Sequence, residues 1–138
     1  MNAVVKELLD IQRDYKYARG HWKILLDKLR EYKGRRGENF PEYKSNDDYI
    51  TYEFAGTKLF CCFSFKKDKG VLMYGYVDQD EKHIVTAYQF VDKEGHIKNS
   101  PDAATVAGEI AIIEDYERFF FPQILNAQKK AWDKMMPE

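Results

Sequence analysis

Residues 3–33, AVVKELLDIQRDYKYARGHWKILLDKLREYK, decide how this 138-residue chain is organised. Apolar side chains fall at Val4, Leu8, Ile11, Tyr15, Ala18, Trp22, Leu25, Leu29 and Tyr32, alternating four and three residues apart without a miss. That spacing predicts one helix with a narrow apolar seam of the coiled-coil kind. Asn2 is the expected N-cap, and Gly34 the expected stop. Lys28, Arg30 and Lys33 lie near the negative end of the helix dipole. Gly20 falls opposite the seam and costs about 1 kcal/mol in propensity relative to alanine.

Outward from this helix, the polar run from Arg35 to Asp48 reads as a connector, with Pro41 arguing against helix. Four strand candidates follow at 49–54, 58–66, 70–78 and 82–91, joined by short Gly/Asp/Lys turns. Such turns connect antiparallel neighbours, so the topology expected is a meander. Asp92-Lys93-Glu94-Gly95 is a further turn and 96–98 a short fifth strand. Ser100 and Pro101 signal a second helix, with Val106, Ile110, Ile113, Tyr116 and Phe120 along one face and Pro122 forcing a kink. The fold class expected is α+β: one domain over 1–138, with a helix at 1–33, an antiparallel sheet at 49–98 and a kinked helix at 101–136.

Composition narrows the class. The chain is 44% hydrophobic and 33% charged, which is a folding composition. No apolar run approaches the roughly 20 residues of a membrane span. The N-terminal residues lack the basic head and unbroken apolar stretch of a signal peptide, so a cytoplasmic location is expected. Cys61 and Cys62 are neighbours in a strand, point to opposite faces, and read as buried thiols rather than a disulfide. The net charge of −1 conceals an asymmetry. Residues 1–37 carry ten Lys/Arg against five Asp/Glu, and the remainder twelve against eighteen.

The motifs select no chemistry. Asp78-Gln79-Asp80-Glu81 starts like a calcium loop but has Lys82, His83 and Gln89 where an oxygen ligand, a glycine and a bidentate glutamate belong. His21, His83 and His96 are scattered, so no metal site and no cofactor are expected. Glycine-rich phosphate loops and the nucleophile elbow are absent from the sequence. Glu53 and Glu109 could act as general bases only if they met in a pocket. Lys16, Arg19, Lys23, Arg30 and Lys33 form a basic stripe, continued by Arg35 and Arg36, that could track phosphates. Asp14, Asp27 and Glu31 interrupt it.

Geometry carries the functional expectation. A helix of about 30 residues is about 45 Å long, whereas strands of eight or nine residues span about 28 Å. The first helix must therefore overhang the sheet, and its seam at Trp22, Leu25 and Leu29 is expected to pair with a second copy. Leu59, Cys61, Phe63 and Phe65 are expected to share a sheet face with Val71, Met73 and Val77, and neither face reads as solvent-facing. The opposite face, with Tyr52, Phe60, Tyr74, Tyr76 and Gln89, is expected to bind a partner protein or an apolar small molecule. The function expected is thus that of a non-enzymatic homodimeric binding module. The alternatives are an enzyme with a carboxylate base and a nucleic-acid-contacting regulator.

Overall fold

A computed structural model describes residues 2–36, 41–66, 68–100 and 111–135. A single helix, α1 (Ala3–Arg36), is followed by seven strands: β1 (Glu42–Ser45), β2 (Tyr49–Phe54), β3 (Thr57–Lys66), β4 (Lys69–Val77), β5 (His83–Val91), β6 (His96–Lys98) and β7 (Ala111–Ile112). A 3-10 turn at Ile113–Asp115 leads into α2 (Tyr116–Phe119) and α3 (Phe121–Met135). The strands form one antiparallel sheet in strict sequence order. The α+β architecture with a kinked C-terminal helix is as expected, with more strands than four or five.

α1 starts where the capping chemistry dictates, the Asn2 side chain accepting the Val4 N–H at 2.7 Å. It passes through Gly20 and Gly34 and ends at Arg36, three residues beyond the expected 33. One glycine costs a helix about 1 kcal/mol, too little to end one whose packed face is already anchored. The C-terminal break follows Pro122. Phe120 caps α2, its N–H still donating to the Tyr116 carbonyl at 2.8 Å, and Pro122 occupies the first turn of α3, where a missing N–H costs nothing. The expected helix start at Ser100–Pro101, with Val106 and Ile110, falls largely outside the described residues. Ala111 and Ile112 pair with Ile97 and His96 as a strand, so no single helix runs from 101 to 136, and helical geometry follows from Ile113.

The strand register overturns the expected division of the sheet faces. Leu59 lies opposite Tyr76, Cys61 opposite Tyr74 and Phe63 opposite Leu72. Odd positions of β3 therefore share a face with even positions of β4, because the connection pairs Lys66 with Lys69. Val71, Met73 and Val77 belong to the other face. A bulge at Tyr74/Gly75 shifts the phase once more along β5, so Ile84 joins Tyr76 while Ala87 joins Tyr74.

Both long helices cover the same face. Trp22 of α1 stacks on Phe63 at 5.6 Å, and Tyr15 meets Phe65 edge-on at 5.5 Å. Phe120, between α2 and α3, packs against Tyr52 and Tyr74. Ile50, Leu59, Cys61, Leu72, Tyr74 and Phe120 are fully buried here. The Gln128 amide reaches Thr57 Oγ1 from α3, tying that helix to the start of β3. Gly70 exists because α1 lies so close, a Cβ there falling 2.7 Å from the Phe63 ring and 3.2 Å from Ala18 Cβ.

The Ala55-Gly56 turn between β2 and β3 has positive φ at both residues, 49° and 79°. Two-residue hairpins of this kind favour Asn-Gly, since an alanine Cβ strains the left-handed region by about 1 kcal/mol. Ala55→Asn is expected to raise stability by about 0.5–1 kcal/mol, read as a higher urea midpoint with an unchanged slope.

Candidate functional site

The sheet face away from the helices carries an apolar strip bordered by charge. Cross-strand pairing lines up Tyr49, Cys62, Met73 and Tyr88 in one row and Thr51, Phe60, Gly75 and Val85 in the next. No helix among the described residues packs on it. Tyr88 is 52% exposed and Tyr49 45%, while Cys62 and Met73 are half-buried. Phe60 is buried even here because Gly75 leaves room for it: a Cβ on Gly75 would meet the Phe60 ring at 2.8 Å and the Ile84 carbonyl closer still. The His83 ring closes its far side at 5.0 Å. Beyond Phe60, a broad depression of about 1430 Å³ runs from Tyr49 and Thr51 to the turn at Asp78–Glu81. Exposed Lys44, Lys58 and Lys66 rim the strip, with Glu42 and Glu53 at one corner.

Of the five residues expected on an open binding face, only Phe60 lies on this one. Tyr52, Tyr74 and Gln89 are buried under the helices, and Tyr76, on the same side by register, is buried but reaches the edge of the depression. The polar tips of Tyr74 and Gln89 are used internally. Tyr74 donates its hydroxyl proton to Gln89 Oε1 at 2.8 Å, and Gln89 Nε2 donates to Asn99 Oδ1 at 3.2 Å. Burial raises the Tyr74 phenol well above its ordinary pKa, so it remains a neutral donor. The residues that do form the open strip, Tyr49, Met73, Val85 and Tyr88, would have been found from the register had its parity been known.

The expected dimer seam is likewise placed in the core. Trp22, Leu25 and Leu29 are 0–1% exposed within the single chain, because this half of the seam sits on the sheet. The overhang lies at the other end of the same seam. Residues 3–9 and 11–13 are exposed, with Val4 at 65%, Leu8 at 60% and Leu9 at 55%. The arm before Tyr15 is 12 residues, about 18 Å long.

The remaining sequence candidates take modest places. Arg19 of the basic stripe is committed to Asp48 at 2.6 Å and to the Asp47 carbonyl. Arg30 pairs with Asp27 at 3.6 Å. Glu53 is exposed on the open face, and Glu109 lies outside the described residues. Asp78 closes a hairpin, its Oδ1 accepting the N–H groups of Asp80 and Lys82. Cys61 is buried on the helix side and Cys62 half-buried on the open side, both as free thiols. Burial pushes both thiols up, opposite to what a reactive thiolate needs.

One cluster escaped the sequence reading: Asp92, Glu94 and His96 converge within 4.8 Å. Its geometry serves the β5–β6 turn. Asp92 Oδ1 accepts the N–H groups of Glu94 and His96 at 2.9 Å, while Oδ2 faces His96 Nδ1 and Lys98 Nζ. Burial alone would raise the Asp92 carboxyl, but those two N–H donors, with His96 and Lys98, outweigh it and hold the group below its ordinary value. The folded carboxyl therefore titrates below the unfolded one, near 3.9. Its contribution is complete above that pH and is lost as pH falls through the folded value. Asp92→Ala is expected to cost about 1–2 kcal/mol at pH 7, with the gap to wild type closing in urea titrations as pH falls below the ordinary carboxylate range.

Compared with family models, curated proteins and solved structures, the chain matches none. No helix among the described residues is long and apolar enough to cross a membrane. The functional reading therefore rests on the arm and the open sheet face.

Proposed function

We propose that this chain is a non-enzymatic binding module that pairs with a second copy through the N-terminal arm of α1 and receives a partner protein on its open sheet face. The observation that carries the reading is the arm itself. Val4, Val5, Leu8, Leu9 and Ile11 stand on a helix that has left the body of the molecule. Each arm presents on the order of 400 Å² of apolar surface, a patch soluble monomers seldom leave without a use. The arm's charges are mixed and nearly balanced: Lys6 and Arg13 against Glu7, Asp10 and Asp14, with Arg13 bridged to Asp10 at 3.4 Å. A balanced surface suits pairing with another copy of itself better than adhesion to an anionic polymer or membrane.

Two such arms bury about 800 Å² together, below the standard size of a tight interface. The dimer is accordingly of micromolar strength. Light scattering between 10 and 500 µM is expected to move from 16.3 kDa towards twice that mass. A constant 16.3 kDa across the range overturns the pairing. The strip of Phe60, Cys62, Met73, Val85 and Tyr88 then remains for the partner protein, and the lysine rim favours one with acidic residues around an apolar centre.

A further inference from the structure

A cavity of about 150 Å³ lies on the helix-covered side, between the β2–β3 hairpin and the first half of α3. Its walls are Tyr52 and Leu59 from the sheet, Phe121, Ile124 and Gln128 from the helical side, with Pro41 at the edge. Phe54 and Leu125, 38% and 49% exposed, form the rim, so the cavity is reachable from solvent. We infer that this cavity is a binding site for an uncharged single-ring aromatic compound, separate from the open sheet face and from the arm.

Three observations lead to that ligand class. The volume equals that of apolar cavities that stay dry and accept benzene, and it falls well below the 300 Å³ at which drug-sized pockets begin. The Gln128 amide, the one carboxamide in the wall among the described residues, is already spent. Oriented with its oxygen towards donors, it accepts from Thr57 Oγ1 at 3.0 Å and Trp132 Nε1 at 2.6 Å and donates to the Phe54 carbonyl at 3.2 Å. Among the described residues, no lysine, arginine, aspartate or glutamate lines the cavity. A charged ligand would lose its hydration with no opposite charge to replace it. An aromatic ring instead meets the rings of Tyr52, Phe54 and Phe121 and the branched chains of Leu59, Ile124 and Leu125.

Benzene is the probe. Titrated into the 13C-methyl-labelled full chain, it is expected to shift the Leu59, Ile124 and Leu125 methyls saturably, with a Kd of about 0.1–1 mM. At ten times Kd the Tm is expected to rise by about 5 °C. Ile124→Trp fills the cavity and should abolish both effects with far-UV circular dichroism retained. Leu125→Trp, at the half-exposed rim, provides the same block should the first variant fail to fold. The inference is overturned if benzene produces no saturable shift up to its solubility limit. It is equally overturned if the shifts survive a folded filling variant, or centre on the Met73 and Val85 methyls of the open face.

Discussion

Replacing Leu8 and Ile11 together by aspartate is expected to yield a folded monomer of 16.3 kDa at every concentration at which the wild-type chain pairs. Each of these side chains contributes about 1.5–3 kcal/mol when taken fully out of water, and a two-fold interface contains both twice. Scaled by their 60% and 42% exposure in the single chain, the double change removes about 3–6 kcal/mol of association free energy, two to four orders of magnitude in Kd. Four carboxylates in place of the apolar contacts add desolvation and repulsion to that loss. The body is expected to lose about 1 kcal/mol or less. Leu8 and Ile11 are 60% and 42% exposed in the single chain and lie before the first ring contact, at Tyr15, so only helix propensity is at stake. Light scattering with a parallel urea titration reads both quantities. A variant that still pairs as wild type shows that the arm is not the contact.

The same seam gives the opposite result 11 residues further on. Trp22→Ala is expected to destabilise the fold by about 3–5 kcal/mol and to lower Tm by on the order of 15 °C, with arm pairing unaffected in the fraction that stays folded. Trp22 is fully buried, stacks on Phe63, and donates its indole N–H to the Asp47 carbonyl at 2.7 Å. Truncation opens a cavity beneath α1, breaks the tie to the 46–48 turn, and leaves Phe63 without its stacking partner. Trp22→Phe, which keeps most of the ring surface, should recover more than half of the loss. Urea denaturation followed by circular dichroism tests the pair. Weakened association at unchanged stability would return Trp22 to an intermolecular seam.

Seam periodicity shows which residues of α1 line up, but not which meet the chain's own sheet and which are left over. That depends on where along α1 the sheet docks, and Gly70 and Ala18 settle it by allowing close approach at mid-helix. The strands were legible because alternation and turn chemistry agree. β2 and β6 match the expected bounds, and β3, β4 and β5 differ by single residues. β1 is not legible because Glu42-Tyr43-Lys44-Ser45 is an edge strand with one partly buried side chain, Tyr43, stacked on Tyr52 at 5.6 Å. Such a strand owes its shape to the neighbour it pairs with, and Pro41 just before it is tolerated only at an edge.

The site was less legible than the fold. Which aromatic set turns inward depends on the parity of each hairpin and on the bulge at Tyr74/Gly75, quantities no composition reveals. A one-residue error in register exchanges the two faces of a strand. The polar tips of Tyr74 and Gln89 added to the ambiguity. They look like the lining of an open surface because a buried hydrogen-bonded pair uses the same groups a ligand would.

Helix α1 also bears on how fast two copies find each other. A peptide of 12 residues seldom holds a helix in water, since starting one fixes several residues for a single hydrogen bond. The arm is spared that step. Its helix is propagated outward from turns already clamped between Trp22 and the sheet. The docked half of α1 thus serves as a permanent nucleus for the free half. Two approaching arms meet as finished helices, and their encounter is limited by orientation, on the scale of 10⁵–10⁷ M⁻¹s⁻¹, rather than by folding.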